Sequence, residues 1–208
     1  MAAPRRVGTE KSATRLAILD ATERMMIDDG YAAVSTRKVA AAVALTPALV
    51  HYYFPTTDDL LLAVYRRAAA RNFERVTEAL ASPRPLHALW ALAIAAPTVL
   101  AAEFMALANH RKTIAAEIAH NIERSRQLHA EAFSRALAAG TAGIDRDAAA
   151  GLGFLMAGAS RALLMEQGIG IRAGHREACA LIEAWLQRVE APTPAAPTPR
   201  KPRRRIRA

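Results

Sequence analysis

Apolar residues recur through the chain at spacings of three and four, with no sustained two-residue alternation of β-branched side chains, which is the signature of helices and not strands. A first helix is predicted from Ser12 to Asp29, with Leu16, Ile18, Leu19, Ala21, Met25 and Met26 as a broad stripe and Gly30 placed to end it. Two short helices follow, Thr36–Ala42 and Pro47–Phe54. A longer one is expected from Asp58 to about Leu80, with Thr57 as N-cap and two acids in its first turn. Ser82-Pro83-Arg84-Pro85 breaks it. Beyond lie helices over about 86–110, 112–139 (as one or two), 145–167 and 175–189, with glycine-bearing breaks at 140–143 and 168–174. The predicted fold class is all-α.

The two short helices sit on either side of a tight turn, which is helix-turn-helix spacing. Val39, Ala40, Val43, Leu45, Val50 and Phe54 are the candidates for a small packed interior. Thr46 is a natural N-cap, and Pro47 stands at the first helical position, where the ring is tolerated. The outward set is then Pro47, Ala48, Leu49, His51, Tyr52 and Tyr53. A solvated helix does not normally expose a leucine, a histidine and two tyrosines with no charge. A helix that reads DNA uses small and apolar groups on thymine methyls and hydroxyls on phosphates.

These residues resemble the DNA-binding domain of the TetR/AcrR family of transcriptional regulators. The likeness rests on Ile18-Leu19-Asp20-Ala21, Gly30-Tyr31, Ser35 with Arg37, Val39-Ala40, Leu45-Thr46, Val50-His51-Tyr52-Tyr53-Phe54-Pro55 and Leu60-Leu61. The resemblance implies that the segment from Thr46 is the recognition helix, with Pro47, Ala48, Leu49 and His51 at base edges and Tyr52 and Tyr53 near sugar and phosphate. It implies that Ser35, Thr36 and Arg37 hold the backbone, with Lys38 adding a cation. Three positions depart from the family pattern. Ala44 replaces the usual turn glycine, so the turn either avoids positive φ or accepts strain. His51 replaces a tyrosine, and Thr57 stands where a phosphate-contacting lysine is usual.

The same resemblance implies that residues 58–190 form an effector-binding and dimerisation domain behind a DNA-binding domain at 12–57. Candidate effector contacts are Trp90, Leu100, Phe104, Met105, Asn109, His110, Ile118, Ile122 and Phe133, a mostly apolar set suited to a small hydrophobic effector. The last two helices, which carry Phe154 and Leu181 among other apolar residues, are the candidate dimer interface through Leu152, Leu155, Met156, Ala159, Leu163, Ile182, Trp185 and Leu186. The expected mechanism is a homodimeric repressor released by effector from a palindromic operator on double-stranded DNA.

Charge changes this picture at the ends. The chain of 208 residues carries 28 Lys and Arg against 19 Asp and Glu, a net +9. Six of the cations and no acid lie in residues 191–208, a proline-rich basic tail. Arg5, Arg6 and Lys11 against Glu10 make residues 1–11 a basic arm, so the body is close to neutral. Both ends suit a polyanion and suggest compensation for the missing lysine. They also keep open an architectural DNA-coating protein acting mainly through its tails, and a helical effector-binding protein with no DNA role.

No catalytic site, metal site or cofactor is expected: the histidines lack ligand spacing, there is no glycine-rich phosphate loop, and Cys179 has no nearby activating base. A single cysteine and an N-terminus without an apolar signal core favour a reducing, cytoplasmic setting. The uncharged run from Pro85 to Ala102 reads as a buried helix, not a membrane span, and no membrane partner is expected.

Overall fold

A computed structural model describes residues 12–95, 98–138 and 146–190. The basic arm, the basic tail and the break at 140–143 lie outside the described residues. Among those described the fold is all-helical: α1 (Ala13–Asp29), a 3-10 turn (Tyr31–Ala33), α2 (Thr36–Ala42), α3 (Pro47–Tyr53), α4 (Thr57–Leu80), α5 (Pro85–Ala95), α6 (Thr98–Ala108), α7 (Lys112–Ala138), α8 (Arg146–Gly168) and α9 (His175–Val189).

The first helices start where hydroxyls can satisfy orphan amides. The Ser12 hydroxyl accepts from the Arg15 amide at 3.1 Å, Ser35 from Lys38 at 3.3 Å and Thr46 from Leu49 at 3.3 Å. At α4 the cap is Thr56 and not Thr57. Thr56 Oγ1 accepts from the Asp59 amide, and the Asp59 carboxylate accepts from the Thr56 amide, both at 3.0 Å. Thr57 is followed three residues later by Leu60, so it has no acid to return the bond.

The helix expected over 86–110 is two helices, α5 and α6, whose axes lie 80° apart. The sequence between them holds a proline at position 97, a residue type that disfavours a continuous helix. The stretch open to one helix or two at 112–139 is the single helix α7. The N-terminus of α5 is capped from far along the chain: the Glu190 carboxylate accepts from the amides of Leu86 at 2.7 Å and His87 at 3.1 Å, tying the end of α9 to the start of α5.

The turn between α2 and α3 accepts strain. Leu45 N–H donates to Ala40 O at 2.8 Å and Ala44 N–H to Ala41 O at 3.2 Å, the paired bonds of a Schellman ending. That ending needs a left-handed residue, and Ala44 has φ 54°. Because Ala44 is exposed, Ala44→Gly removes the Cβ strain without losing packing. After the entropy cost of glycine in the unfolded chain, a net gain of about 0.5–1 kcal/mol is expected in urea denaturation. A loss of stability would contradict this account of the turn.

The buried side chains form two cores that do not divide at residue 57. The first holds Ile18, Leu19 and Met26 of α1, Val39 of α2 and Val50 of α3. It continues through Leu60, Leu61 and Val64 of α4 to Phe104 and Leu107 of α6 and Ile114 and Ile118 of α7. The second gathers Val76 at the far end of α4, Leu86, Leu89 and Trp90 of α5, Ala132 and Phe133 of α7, Ala149 of α8 and Leu186 of α9. Only α4 and α7 contribute buried residues to both.

Polar contacts fasten α1 to its neighbours. Arg67 reaches Asp20 at 2.6 Å and Glu23 at 2.7 Å, and Arg71 reaches Glu23 at 2.6 Å. From α6, Glu103 accepts the Tyr31 amide at 2.6 Å, just past the left-handed Gly30 that closes α1.

Candidate nucleic-acid interface

α3 is positioned by its buried side. Val50 is fully enclosed and Phe54 nearly so, which turns Pro47, Ala48, His51 and Tyr52 outward, with Leu49 half-buried. Tyr52 stays 48% exposed and meets Tyr53 edge-on at 5.2 Å between ring centres. Tyr53 is half-buried and packs on the first core, so its ring supports α3 as much as it faces outward. Arg37 and Lys38 are exposed on α2, and Ser35 and Thr36 sit at its start.

His51 is exposed on α3 and is also hydrogen-bonded within the domain. Its Nδ1 lies 3.2 Å from the Pro55 carbonyl oxygen and its Nε2 3.2 Å from Thr36 Oγ1, so both ring nitrogens are engaged within the domain. Thr57, as the first residue of α4, stands beside the capping box and does not form it.

Four of the six acids of residues 12–60 are engaged within the fold, while Asp28 and Asp29 are exposed. Asp20 and Glu23 face Arg67 and Arg71, Asp58 lies 3.3 Å from Arg111, and Asp59 closes the capping box. Burial alone would push the Glu23 carboxyl up, but hydrogen bonds from Arg71 and Arg67, with their charges, hold it below the ordinary carboxylate range. An interface for a polyanion therefore meets less repulsion than the acid count suggests. The Arg67 and Arg71 pair, one helical turn apart on α4, was missed by sequence reasoning; that spacing was the available signal.

The nine candidate effector contacts do not form one group. Trp90 and Phe133 belong to the second core. Leu100, Phe104, Ile118 and Ile122 belong to the first, while Met105, Asn109 and His110 are exposed. The buried Nε1 of the candidate Trp90 lacks a hydrogen-bond partner, as do two buried atoms that sequence reasoning missed, His129 Nε2 and Ser134 Oγ. Burial pushes the His129 imidazole below its ordinary value and so favours the neutral ring. A Cβ on Gly153 of α8 would lie 3.6 Å from His129 Cβ and 3.7 Å from the Phe133 ring.

The candidate dimer residues also separate. Leu186 is wholly buried inside the protomer and is unavailable to a partner. Leu152, Met156, Ala159, Leu163, Ile182 and Trp185 pack half-buried on the second core, Trp185 stacked on Phe133 at 6.3 Å. Leu155 is 65% exposed, and Leu181, Phe154 and Met165 are exposed with it. α8 is long and apolar enough to cross a membrane by length and composition alone.

Comparison with known proteins adds to this geometry. The family model of bacterial regulatory proteins of the tetR family matches residues 18–64. Over 52 residues the chain is 38% identical to the HTH-type transcriptional regulator BetI of Rhizobium meliloti (strain 1021). That stretch is 25% of this chain and 26% of the relative, so the match spans about a quarter of the relative's length. Among solved structures, a transcriptional regulator from Saccharomonospora viridis in complex with choline aligns with TM-score 0.70 at 22% identity, covering 83% of this chain and 97% of that one. A regulator from Pseudomonas aeruginosa PAO1 aligns with TM-score 0.69 at 20% identity, covering 89% and 95%.

Proposed function

We propose, from the premise that this chain carries the DNA-binding domain of the TetR family of transcriptional regulators, that it is a homodimeric repressor released from a palindromic operator by a small effector. The observation that carries this reading is the outward face of α3, where Pro47, Ala48 and Tyr52 stand exposed beside Arg37 and Lys38. Small and apolar groups suit base edges, and the flanking cations and hydroxyls suit phosphates. The exposed apolar face of α8 and α9 is assigned to a second copy of the chain, because two recognition helices must be held one DNA turn apart. A cytoplasmic setting follows from the partner.

The effector site is assigned to the second core, around Trp90, His129 and Phe133. Trp90 Nε1–H is donor-only and His129 is held neutral, so the effector is apolar with a hydrogen-bond acceptor such as a carbonyl or ether oxygen. Choline, held by the Saccharomonospora neighbour, is a cation and differs in class. Effector binding would favour a state with the two α3 helices mis-spaced, by no more than its differential affinity for the two states.

The test is selection of genomic fragments by the full-length protein at about 150 mM salt, near physiological ionic strength. Recovery of one palindromic motif is expected. Enrichment without a motif would favour a DNA-coating role for the basic ends and overturn the operator reading.

A further inference from the structure

His51 is the one histidine of residues 12–57, and its ring links two elements of the DNA-binding domain. Nδ1 faces the Pro55 carbonyl, which can only accept a hydrogen bond, so Nδ1 carries a proton. The other neutral tautomer would set two lone pairs against each other across 3.2 Å. With the ring neutral, Nε2 is therefore an acceptor, and the Thr36 hydroxyl must donate its hydrogen inward to it. A phosphate oxygen also only accepts. While His51 is neutral, the Thr36 hydroxyl has no hydrogen left for DNA.

A second proton on the ring reverses that bond. Nε2–H then donates to Thr36 Oγ1, and the hydroxyl hydrogen is free to turn outward. We propose that operator binding takes up one proton per half-site at His51, so that the imidazolium and the Thr36 hydroxyl act as a two-residue phosphate contact anchored on the Pro55 carbonyl. The inference rests on the reading of Thr36 as a backbone contact in the proposed function. The proton comes from solvent, goes to Nε2, and returns when the complex dissociates.

The surrounding charges support this direction. On α2 the charged residues that follow Thr36 are Arg37 and Lys38, both exposed, and a bound phosphate would offset the cost of a further cation beside them. From α3 the neighbours are Tyr52 and Tyr53, and from α1 Arg15 lies over the Phe54 ring. At the start of α4, Asp58 is turned to Arg111 and Asp59 to Thr56, so neither carboxylate is committed to the ring. His51 is the positioning residue, and Thr36 the group that touches the phosphate.

Two measurements test the inference on the full-length protein, with the duplex recovered by the genomic selection as probe. Nitrogen NMR of histidine-labelled protein should show His51 as the Nδ1–H neutral ring when free and as imidazolium in the complex. Binding should weaken as pH rises, by up to about tenfold per pH unit for each proton taken up, or about a hundredfold for two half-sites. His51→Tyr and Thr36→Val each substitute an exposed or half-exposed position and should flatten that profile, with circular dichroism confirming the fold. A slope unchanged in both variants, or a neutral His51 in the complex, overturns the proton linkage and leaves the operator reading intact. Folded wild-type protein that fails to bind the duplex at any pH overturns both.

Discussion

The double substitution Leu155→Asp with Leu181→Asp is expected to yield a folded monomer whose affinity for the selected operator falls by at least about a hundredfold. Both side chains are mostly exposed in the protomer, at 65% and 70%, so aspartate leaves the second core intact. In a dimer closed through α8 and α9 each leucine contributes about 1.5–3 kcal/mol on burial. Replacing them puts four carboxylates into one apolar contact across the twofold axis, which adds desolvation and repulsion. The DNA consequence is larger than the loss of one contact. A joined second recognition helix acts at an effective concentration on the order of millimolar, and a monomer forfeits that. Sedimentation gives the oligomeric state, circular dichroism the fold and fluorescence anisotropy the affinity. A variant that stays dimeric would remove α8 and α9 as the interface. Leu186→Asp serves as a contrast, since that side chain is sealed inside the protomer and its replacement should unfold the second core.

The second large effect concerns the clamp between α1 and α4. Arg67→Met keeps the aliphatic stem but removes the charge that faces Asp20 and Glu23. The Arg67 and Glu23 side chains are only 19% and 18% exposed, so Glu23 is left partly buried with Arg71 alone. An expected loss of about 2 kcal/mol at pH 7 follows, between the surface and the buried range for broken pairs. The pH dependence has a definite sign. Glu23 is held below its ordinary value when folded, so its contribution is present above the unfolded value and disappears as pH falls through the folded one. Wild type should therefore lose stability in acid below about pH 4.5, the usual carboxyl range, and Arg67→Met should lose less across the same interval. Urea denaturation at several pH values reads both quantities, and parallel curves for the two proteins would contradict the clamp.

Much of the DNA-binding half was legible because its helix ends are written locally. Ser35 and Thr46 with Pro47 mark starts that the backbone follows residue for residue, and α9 runs as its periodicity predicts, His175–Val189. The errors arose where a neighbour in space decides. Thr57 looked like a cap until the reciprocal bond from Asp59 selected Thr56. A run of apolar residues read as one helix where α5 and α6 lie 80° apart, although the sequence holds a proline at position 97 and proline disfavours a helix interior. His51 is exposed, as its helical position implies, but its hydrogen bonds to Thr36 and Pro55 could not be read from the sequence. The effector set merged two cores because apolar character along a helix does not say which side of the fold a turn faces.

Those two cores bear on how the molecule opens. A chain with two separately buried clusters joined by two continuous helices has two cooperative unfolding units, and amide hydrogen exchange should divide it accordingly. The first unit includes α6 and the N-terminal part of α7, so α2 and α3 share their fate with helices beyond residue 57. Protection in α2 and α3 should follow protection in α6 more closely than protection in α5 follows it, although α5 and α6 adjoin in the chain. Tightening the second cluster would then reach α3 chiefly by way of α4 and α7, as a change in the local stability of the first.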